Sequence, residues 1–183
     1  MNPAGAVLAG GASRRMGVDK AYLAVAGLAM IERVAGAMRA AGVDPVVAIG
    51  GDPGRNLDCG LTTIADGWPG QGPLGGILTA LAWSPAPFVV VAACDLPSLD
   101  PQTFRAILEH PDDDADVVAA GAGRPEPLCA RWRVATCEGD LLQAFVSGER
   151  SVHRAWTSLR RAHRVRPALE FRNMNTPDDL ASA

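Results

Sequence analysis

The sequence predicts an α/β fold: one domain built on a mostly parallel sheet with helices on both faces. Two observations carry that prediction. Short, β-branched apolar runs alternate with stretches of helical spacing through the first 110 residues, the pattern of strands joined by crossover helices. Glycine-rich loops follow directly after apolar runs, where sheets of this kind place their ligands. A chain of 183 residues is long enough for one well-buried core and short for two. Its hydrophobic fraction of 48% and charged fraction of 20% are ordinary for a globular domain.

The elements follow in order. Residues 4–8 read as a buried strand that runs into the loop 10–20. Residues 30–41 carry Met30, Val34, Ala37, Met38 and Ala41 at helical spacing, stopped by Gly42. A short second strand at 45–49 precedes a turn-rich stretch at 50–60. A third strand at 61–64 leads through Ala65-Asp66 into another glycine- and proline-rich loop, and a helix at 74–83 closes on Ser84-Pro85. Residues 88–93 are apolar, β-branched and too short for a helix, so they form a central parallel strand with Asp95 just past its end. A helix at 101–109 has proline at its first position and Asp100 as its cap. The second half is less regular. Residues 117–120 and 128–132 pair as a hairpin around Gly123-Arg124-Pro125, helices lie near 141–146 and 152–159, a last strand near 163–165, and a terminal helix after Thr176-Pro177. No repeat and no linker divides the chain, so residues 1–183 are read as one domain.

Composition narrows the classes of function. No apolar run approaches the roughly 20 residues of a membrane span. Met1-Asn2-Pro3-Ala4-Gly5 has no basic segment and runs straight into a strand, unlike a signal peptide. Cys59, Cys94, Cys129 and Cys137 form no CxxC pair and no metal-finger spacing, as expected of thiols in a reducing compartment. A cytoplasmic protein is expected. The net charge of −3 argues against a general nucleic-acid binder. The charge is uneven, however, with ten arginines against five acids between residues 121 and 172. Such a half is either an arginine-rich solvated surface or an attractor for a polyanionic substrate. Lys20 is the only lysine of the chain.

Four stretches carry candidate chemistry. The first is Leu8-Ala9-Gly10-Gly11-Ala12-Ser13-Arg14-Arg15-Met16-Gly17-Val18-Asp19-Lys20. Two glycines after a strand let backbone N–H groups approach phosphate, and Arg14, Arg15 and Lys20 can neutralise it. The pattern is neither a Walker loop nor a dinucleotide GxGxxG. The second, Asp66-Gly67-Trp68-Pro69-Gly70-Gln71-Gly72-Pro73-Leu74-Gly75-Gly76, is a rigid loop entering a helix, in which Asp66 can accept from a base or ribose. The third is Cys94-Asp95-Leu96-Pro97. A carboxylate at the end of a buried strand is a hard oxygen ligand suited to Mg²⁺, or else a helix cap. The fourth is Asn173-Met174-Asn175-Thr176-Pro177-Asp178-Asp179-Leu180, where Thr176 caps a helix and the two asparagines stay unexplained. His110, His153 and His163 share no metal spacing, and Trp68, Trp83, Trp132 and Trp156 read as packing residues.

Together, and in this order, these stretches resemble the molybdenum cofactor guanylyltransferase (MobA) family. Residues 8–20 are similar to its signature L-A-G-G-x-S-x-R-M-G-x-D-K. Gly72-Pro73-Leu74-Gly75-Gly76, Asp95-x-Pro97 and Asn173-x-Asn175-Thr176-Pro177-x-Asp179-Leu180 resemble further family motifs. Pro127-Leu128-Cys129-Ala130 and Gly148-Glu149-Arg150-Ser151-Val152 resemble its substrate-side segments. The resemblance spans nearly the whole chain. It implies a Rossmann-like nucleotidyltransferase sheet that transfers GMP from GTP to molybdenum-bound molybdopterin, with residues 1–110 as the nucleotide half and 111–183 as the molybdopterin half.

Carried over by motif, Leu8, Ala9 and Gly10 line the nucleotide site, Lys20 and Asp66 contact GTP, and Asp95 holds Mg²⁺. Asn175 lies near the metal or the pterin phosphate. Arg15, Lys20 and Asp95 carry the catalysis. The attacking phosphate is already ionised, so the reaction needs alignment and charge neutralisation rather than a general base. Further partners implied are molybdopterin-supplying proteins and recipient molybdoenzymes, with no nucleic acid and no membrane. One departure stands out: at the end of the second strand, where the family often has an asparagine near the guanine, this chain has Ile49. Three alternatives remain open from the residues: the related cytidylyltransferase, which usually has Ala-Gly in place of Gly10-Gly11, a sugar-phosphate or other small-phosphate nucleotidyltransferase, and a non-catalytic adaptor that carries molybdopterin.

Overall fold

The computed structural model describes residues 2–165 apart from 11–18, 97–98, 113 and 122–124, with backbone alone for 162–165. Its first half runs β1 (Ala4–Leu8), β2 (Ala24–Val25), β3 (Leu28–Ala29), α1 (Met30–Ala40), β4 (Val46–Ile49), α2 (Pro53–Asp58), β5 (Thr62–Ile64), α3 (Pro73–Trp83), β6 (Phe88–Ala93) and α4 (Pro101–Leu108). The second half adds β7 (Val117–Gly121), β8 (Glu126–Arg133), α5 (Val134–Val146), α6 (Val152–Ala155) and β9 (Arg161–Val165). Among the described residues, no helix is long and apolar enough to cross a membrane.

Seven strands form one sheet in the order β5-β4-β1-β6-β8-β7-β9. Only β8 runs against the rest, paired antiparallel with β6 and β7. Every residue of β1 is buried, as a central strand covered on both faces requires. Its side chains alternate between two cores. Ala4, Ala6 and Leu8 join the layer of α3 and α5 with Ile77, Leu81, Trp132, Leu141 and Phe145. Val7 and Ala9 join the layer of α1 and α4 with Ile31, Val34, Met38, Phe104 and Ile107. The expected hairpin of β7 and β8 is present, with a register shift between Ala119 and Ala120.

Capping follows the sequence where the chemistry is explicit. Asp100 accepts from the Thr103 N–H at 2.7 Å and from its hydroxyl at 2.8 Å, opening α4 at Pro101. Three elements differ from expectation. The stretch read as turns contains α2, opened by the same device, with Asp52 accepting from the Arg55 N–H at 2.9 Å ahead of Pro53. Residues 24–29 form a small hairpin whose turn places Ala26 and Gly27 at φ 49° and 85°, left-handed values that favour this tight turn. Helix α5 begins at Val134 rather than near Leu141. The terminal helix expected after Thr176 lies outside the described residues.

This topology locates a ligand crevice. From β1 the chain crosses to β4 and β5 on one side, then returns past β1 to β6 on the other. Strand order therefore reverses at β1, and the crevice opens beyond the C-terminal ends of β4, β1 and β6.

Candidate active site

The N–H groups of Ala9 and Gly10 both donate to the Ile49 carbonyl, at 3.0 and 3.2 Å. β1 and β4 thus stay joined until Gly10, which is exposed at the crevice. Leu8 and Ala9 are buried beneath it. Ile49 is 1% exposed, its side chain in the core, so it offers a ligand no side-chain atom. A Cβ on Gly10 would lie 3.8 Å from Asp66 Oδ2, and one on Gly50 would lie 3.5 Å from Gly10 Cα. Gly10, Gly50 and Asp66 therefore converge on one end of the crevice.

Asp66, half-buried after β5, is oriented by α3. Its Oδ1 accepts from the Trp68 N–H at 2.9 Å and lies 3.1 Å from the Thr79 hydroxyl. That hydroxyl also accepts from the Gly67 N–H at 3.0 Å and lies 3.0 Å from the Gly75 carbonyl. Gly75 lets Trp68 lie against the helix: a Cβ there would stand 2.7 Å from Trp68 Cβ. On its other side Trp68 meets the Phe145 ring, centroids 4.8 Å apart. Arg150 stacks on Phe145 at 3.9 Å and donates to Gln71 Oε1 at 2.9 Å. Glu149 braces this segment. It accepts from the Arg154 side chain at 2.6 Å and the Ser151 N–H at 2.7 Å, which hold its carboxyl down to about 2.

The opposite end of the crevice is charged. Asp95 lies two residues beyond β6 and is half-buried. Burial raises its pKa above the ordinary carboxylate value, opposed by the nearby Lys20 ammonium and a backbone hydrogen bond. Lys20 opens a single 3₁₀ turn, Lys20–Tyr22, whose first turn is capped by Asp19 accepting from the Ala21 N–H at 3.2 Å. The neighbouring Cys94 thiol is pushed up to about 12, chiefly by burial and then by Asp95, so it holds its proton and is no nucleophile. The structure brings Lys20 and Asp95 together at one end and Leu8, Ala9, Gly10 and Asp66 at the other. Arg14, Arg15, Pro97 and the segment containing Asn173 and Asn175 lie outside the described residues. Among the described residues, no group of three or more His, Cys, Asp or Glu side chains could hold a metal ion by itself.

Four residues of the site escaped the sequence reading. Thr79 has a signal in retrospect, a lone hydroxyl inside the apolar α3, four residues after Gly75. Tyr22 and Gln71 act through contacts distant in sequence, Gln71 reading in the sequence only as part of a rigid loop, and Asn56 carries no local signature. Tyr22 Oη accepts from the Asp52 N–H at 2.8 Å and donates to Asn56 Oδ1 at 2.9 Å. Asn56, fully buried, donates in turn to the Gly50 carbonyl at 2.9 Å and to Thr63 Oγ1 on the edge strand β5 at 2.8 Å.

A crevice with a lysine beside a carboxylate, at the switch point of a mostly parallel sheet, belongs to a nucleotidyltransferase. The family described as a MobA-like NTP transferase domain matches residues 5–165. A relative from Cereibacter sphaeroides, named molybdenum cofactor guanylyltransferase, is 36% identical over 98% of this chain and 94% of its own. One of the same name from Nitrobacter hamburgensis is 34% identical over 98% and 91%. The crystal structure of an Archaeoglobus fulgidus protein, molybdopterin-guanine dinucleotide biosynthesis protein A, superposes with a TM-score of 0.78 at 27% identity, covering 97% of this chain and 95% of that one. The chain belongs to the MobA-like NTP transferase family and, within it, to the molybdenum cofactor guanylyltransferases.

Proposed function

We propose that this chain transfers GMP from GTP to the terminal phosphate of molybdenum-bound molybdopterin, releasing pyrophosphate. The observation that carries this reading is the placement of Lys20 against Asp95 at one end of a crevice whose other end is formed by Gly10, Gly50 and Asp66. The end with the Lys20 cation suits the triphosphate, and the glycine-lined end, with Asp66 as an acceptor, suits the nucleoside. In the reaction an oxygen of the pterin phosphate bonds to the α-phosphorus of GTP, and the α–β phosphoanhydride bond breaks. The attacking oxygen carries no proton at neutral pH, so no residue need remove one. Lys20 and Arg15 neutralise the triphosphate. Asp66 accepts from the nucleoside, Leu8, Ala9 and Gly10 line it, and Asn175 stands by the incoming phosphate. The halves 1–110 and 111–183 divide the two substrates.

The carboxylate of Asp95 fits Mg²⁺. It is a hard oxygen donor whose charge burial disfavours, a cost that an adjacent dication offsets. With few protein ligands in reach, the remaining positions would fall to water and phosphate oxygens, as Mg²⁺ prefers. When bound there it would neutralise charge on the phosphates.

The test is a turnover assay with GTP or CTP, Mg²⁺ and molybdenum-bound molybdopterin, following pyrophosphate and the dinucleotide product. Dinucleotide formation from GTP is expected. Turnover with CTP alone, or only with a sugar phosphate as acceptor, would overturn the reading.

A further inference from the structure

We infer that Tyr22 and Asn56 set the base preference of the site, by fixing the Gly50–Gly51 turn so that its backbone does the work of a base-reading side chain. The inference rests on the reading of the crevice as a GTP site, and it concerns the Gly50–Gly51 turn beside Gly10 and Asp66. No side chain at the end of β4 can reach a ligand. All four residues of that strand are buried, and the next two are glycines. Most of the backbone there is also engaged. The Ile49 carbonyl accepts from Ala9 and Gly10, the Gly50 N–H donates to the Ile64 carbonyl at 2.9 Å, and the Gly50 carbonyl accepts from Asn56. The Gly51 N–H has no hydrogen-bond partner among the described residues. The turn it belongs to borders Gly10 and Asp66.

A backbone donor discriminates between bases only if it is held still. Gly50 and Gly51 stand at φ 69° and 77°, successive left-handed values that glycine adopts without cost but that leave the turn soft. Stiffness comes from outside it. Asn56 fastens the Gly50 carbonyl to Thr63 on the neighbouring strand. The Tyr22 hydroxyl fastens Asn56 to Asp52, the residue after the turn. That hydroxyl also fills the space over Gly51, where a Cβ would stand 2.7 Å from it and 2.9 Å from Ala9 Cβ. The Tyr22 ring is anchored separately, beneath the Arg55 guanidinium at 3.9 Å. Removal of the hydroxyl therefore frees the turn without removing the ring. The contacts of Asn56 lie at the glycine end, whereas Tyr22 shares its 3₁₀ turn with Lys20, so a titration with triphosphate separates an effect on the base from one passed on through Lys20. Tyr22 and Asn56 are positioning residues for the base.

The experiment is calorimetric titration of the full-length protein with GTP, ATP and inorganic triphosphate, for the wild type, Tyr22→Phe and Gly51→Ala. In Tyr22→Phe the Kd for GTP is expected to rise about fivefold to tenfold, the loss of one net hydrogen bond. The preference for GTP over ATP falls by a similar factor, and the Kd for triphosphate changes by less than about twofold. Gly51→Ala, which drives a methyl group against the same hydroxyl, should repeat the pattern. Undiminished GTP preference in both variants would overturn the inference, as would equal weakening of GTP and triphosphate, the mark of a general scaffold. A wild type that shows no preference for GTP over ATP would overturn the guanylyl reading, and this inference with it. Preference present in the wild type and retained in the variants overturns the inference alone.

Discussion

Asp95 and Lys20 face each other across the charged end of the crevice, and the physical chemistry of each leads to a separate expectation. The folded pKa of Asp95 stands above its unfolded value because burial penalises the charge more than Lys20 compensates it. The folded state then binds the proton more tightly than the unfolded chain, so ionisation costs stability as pH rises through the folded value. Asp95→Asn should therefore raise the melting temperature at pH 7 by about 2 °C while abolishing dinucleotide synthesis. The stability gain should vanish below about pH 3.9, where the carboxyl is protonated in both states. Calorimetric scans of both proteins across that range check the sign, and a lower Tm for the variant at pH 7 would contradict it. Lys20 is the chain's only lysine among 17 basic residues. An ammonium is a compact point charge with three rotatable donors, whereas guanidinium is a planar fork. Lys20→Arg should lower kcat by about 10²-fold even though the charge is kept, measured as pyrophosphate release at saturating GTP.

At the scale of elements, α3 sets the Asp66 end of the crevice through small residues rather than large ones. Gly75 admits Trp68 against the helix, and Thr79 holds Asp66 one turn later. Gly75→Ala would force its methyl group into Trp68 Cβ at 2.7 Å, in a loop held on its far side by Phe145. The expected cost is about 1–3 kcal/mol of stability. The KM for GTP should rise more than kcat falls, since Asp66 moves and Lys20 does not; urea unfolding together with steady-state kinetics tests both. The same elements show what the sequence made legible. β1, β6 and α3 were readable because a strand buried on both faces is continuously apolar, and because proline opens helices where its missing N–H does no harm. Lys20, Asp66 and Asp95 were readable because each follows a strand or a glycine-rich loop that fixes its place on the sheet edge. Helix α2 carried its own signature, Asp52 before Pro53, but glycines on both sides of it suggested turns. The network of Tyr22, Asn56 and Gly50 was not readable at all. Its partners are 30 or more residues apart, between Tyr22 and Asp52 and between Tyr22 and Asn56, and no periodicity encodes a hydrogen bond across that separation.

At the scale of the whole molecule, the two halves meet where Arg150 and Phe145, from the second half, hold Gln71 and Trp68, from the first. The charge of the chain is divided along the same line, with ten arginines against five acids between residues 121 and 172 and an acidic excess before them. Molybdopterin and GTP are both anions, so on the proposed division of the two halves the second draws one anion toward a site already occupied by another. Among the described residues Arg150, Arg154, Arg160 and Arg161 are exposed, and a field of such charges acts at long range, screened over about 8 Å at physiological ionic strength. On the proposed reading GTP meets Lys20 and Gly10 directly, and salt weakens short, partly buried contacts far less. Raising NaCl from 50 to 300 mM should therefore lower kcat/KM for the molybdopterin substrate by roughly tenfold, with a change of less than about threefold for GTP. Substituting Arg160 and Arg161, both exposed, with glutamine should reduce the salt dependence for molybdopterin and leave that for GTP unchanged. Equal salt sensitivity for the two substrates would show that the arginines serve solubility rather than capture.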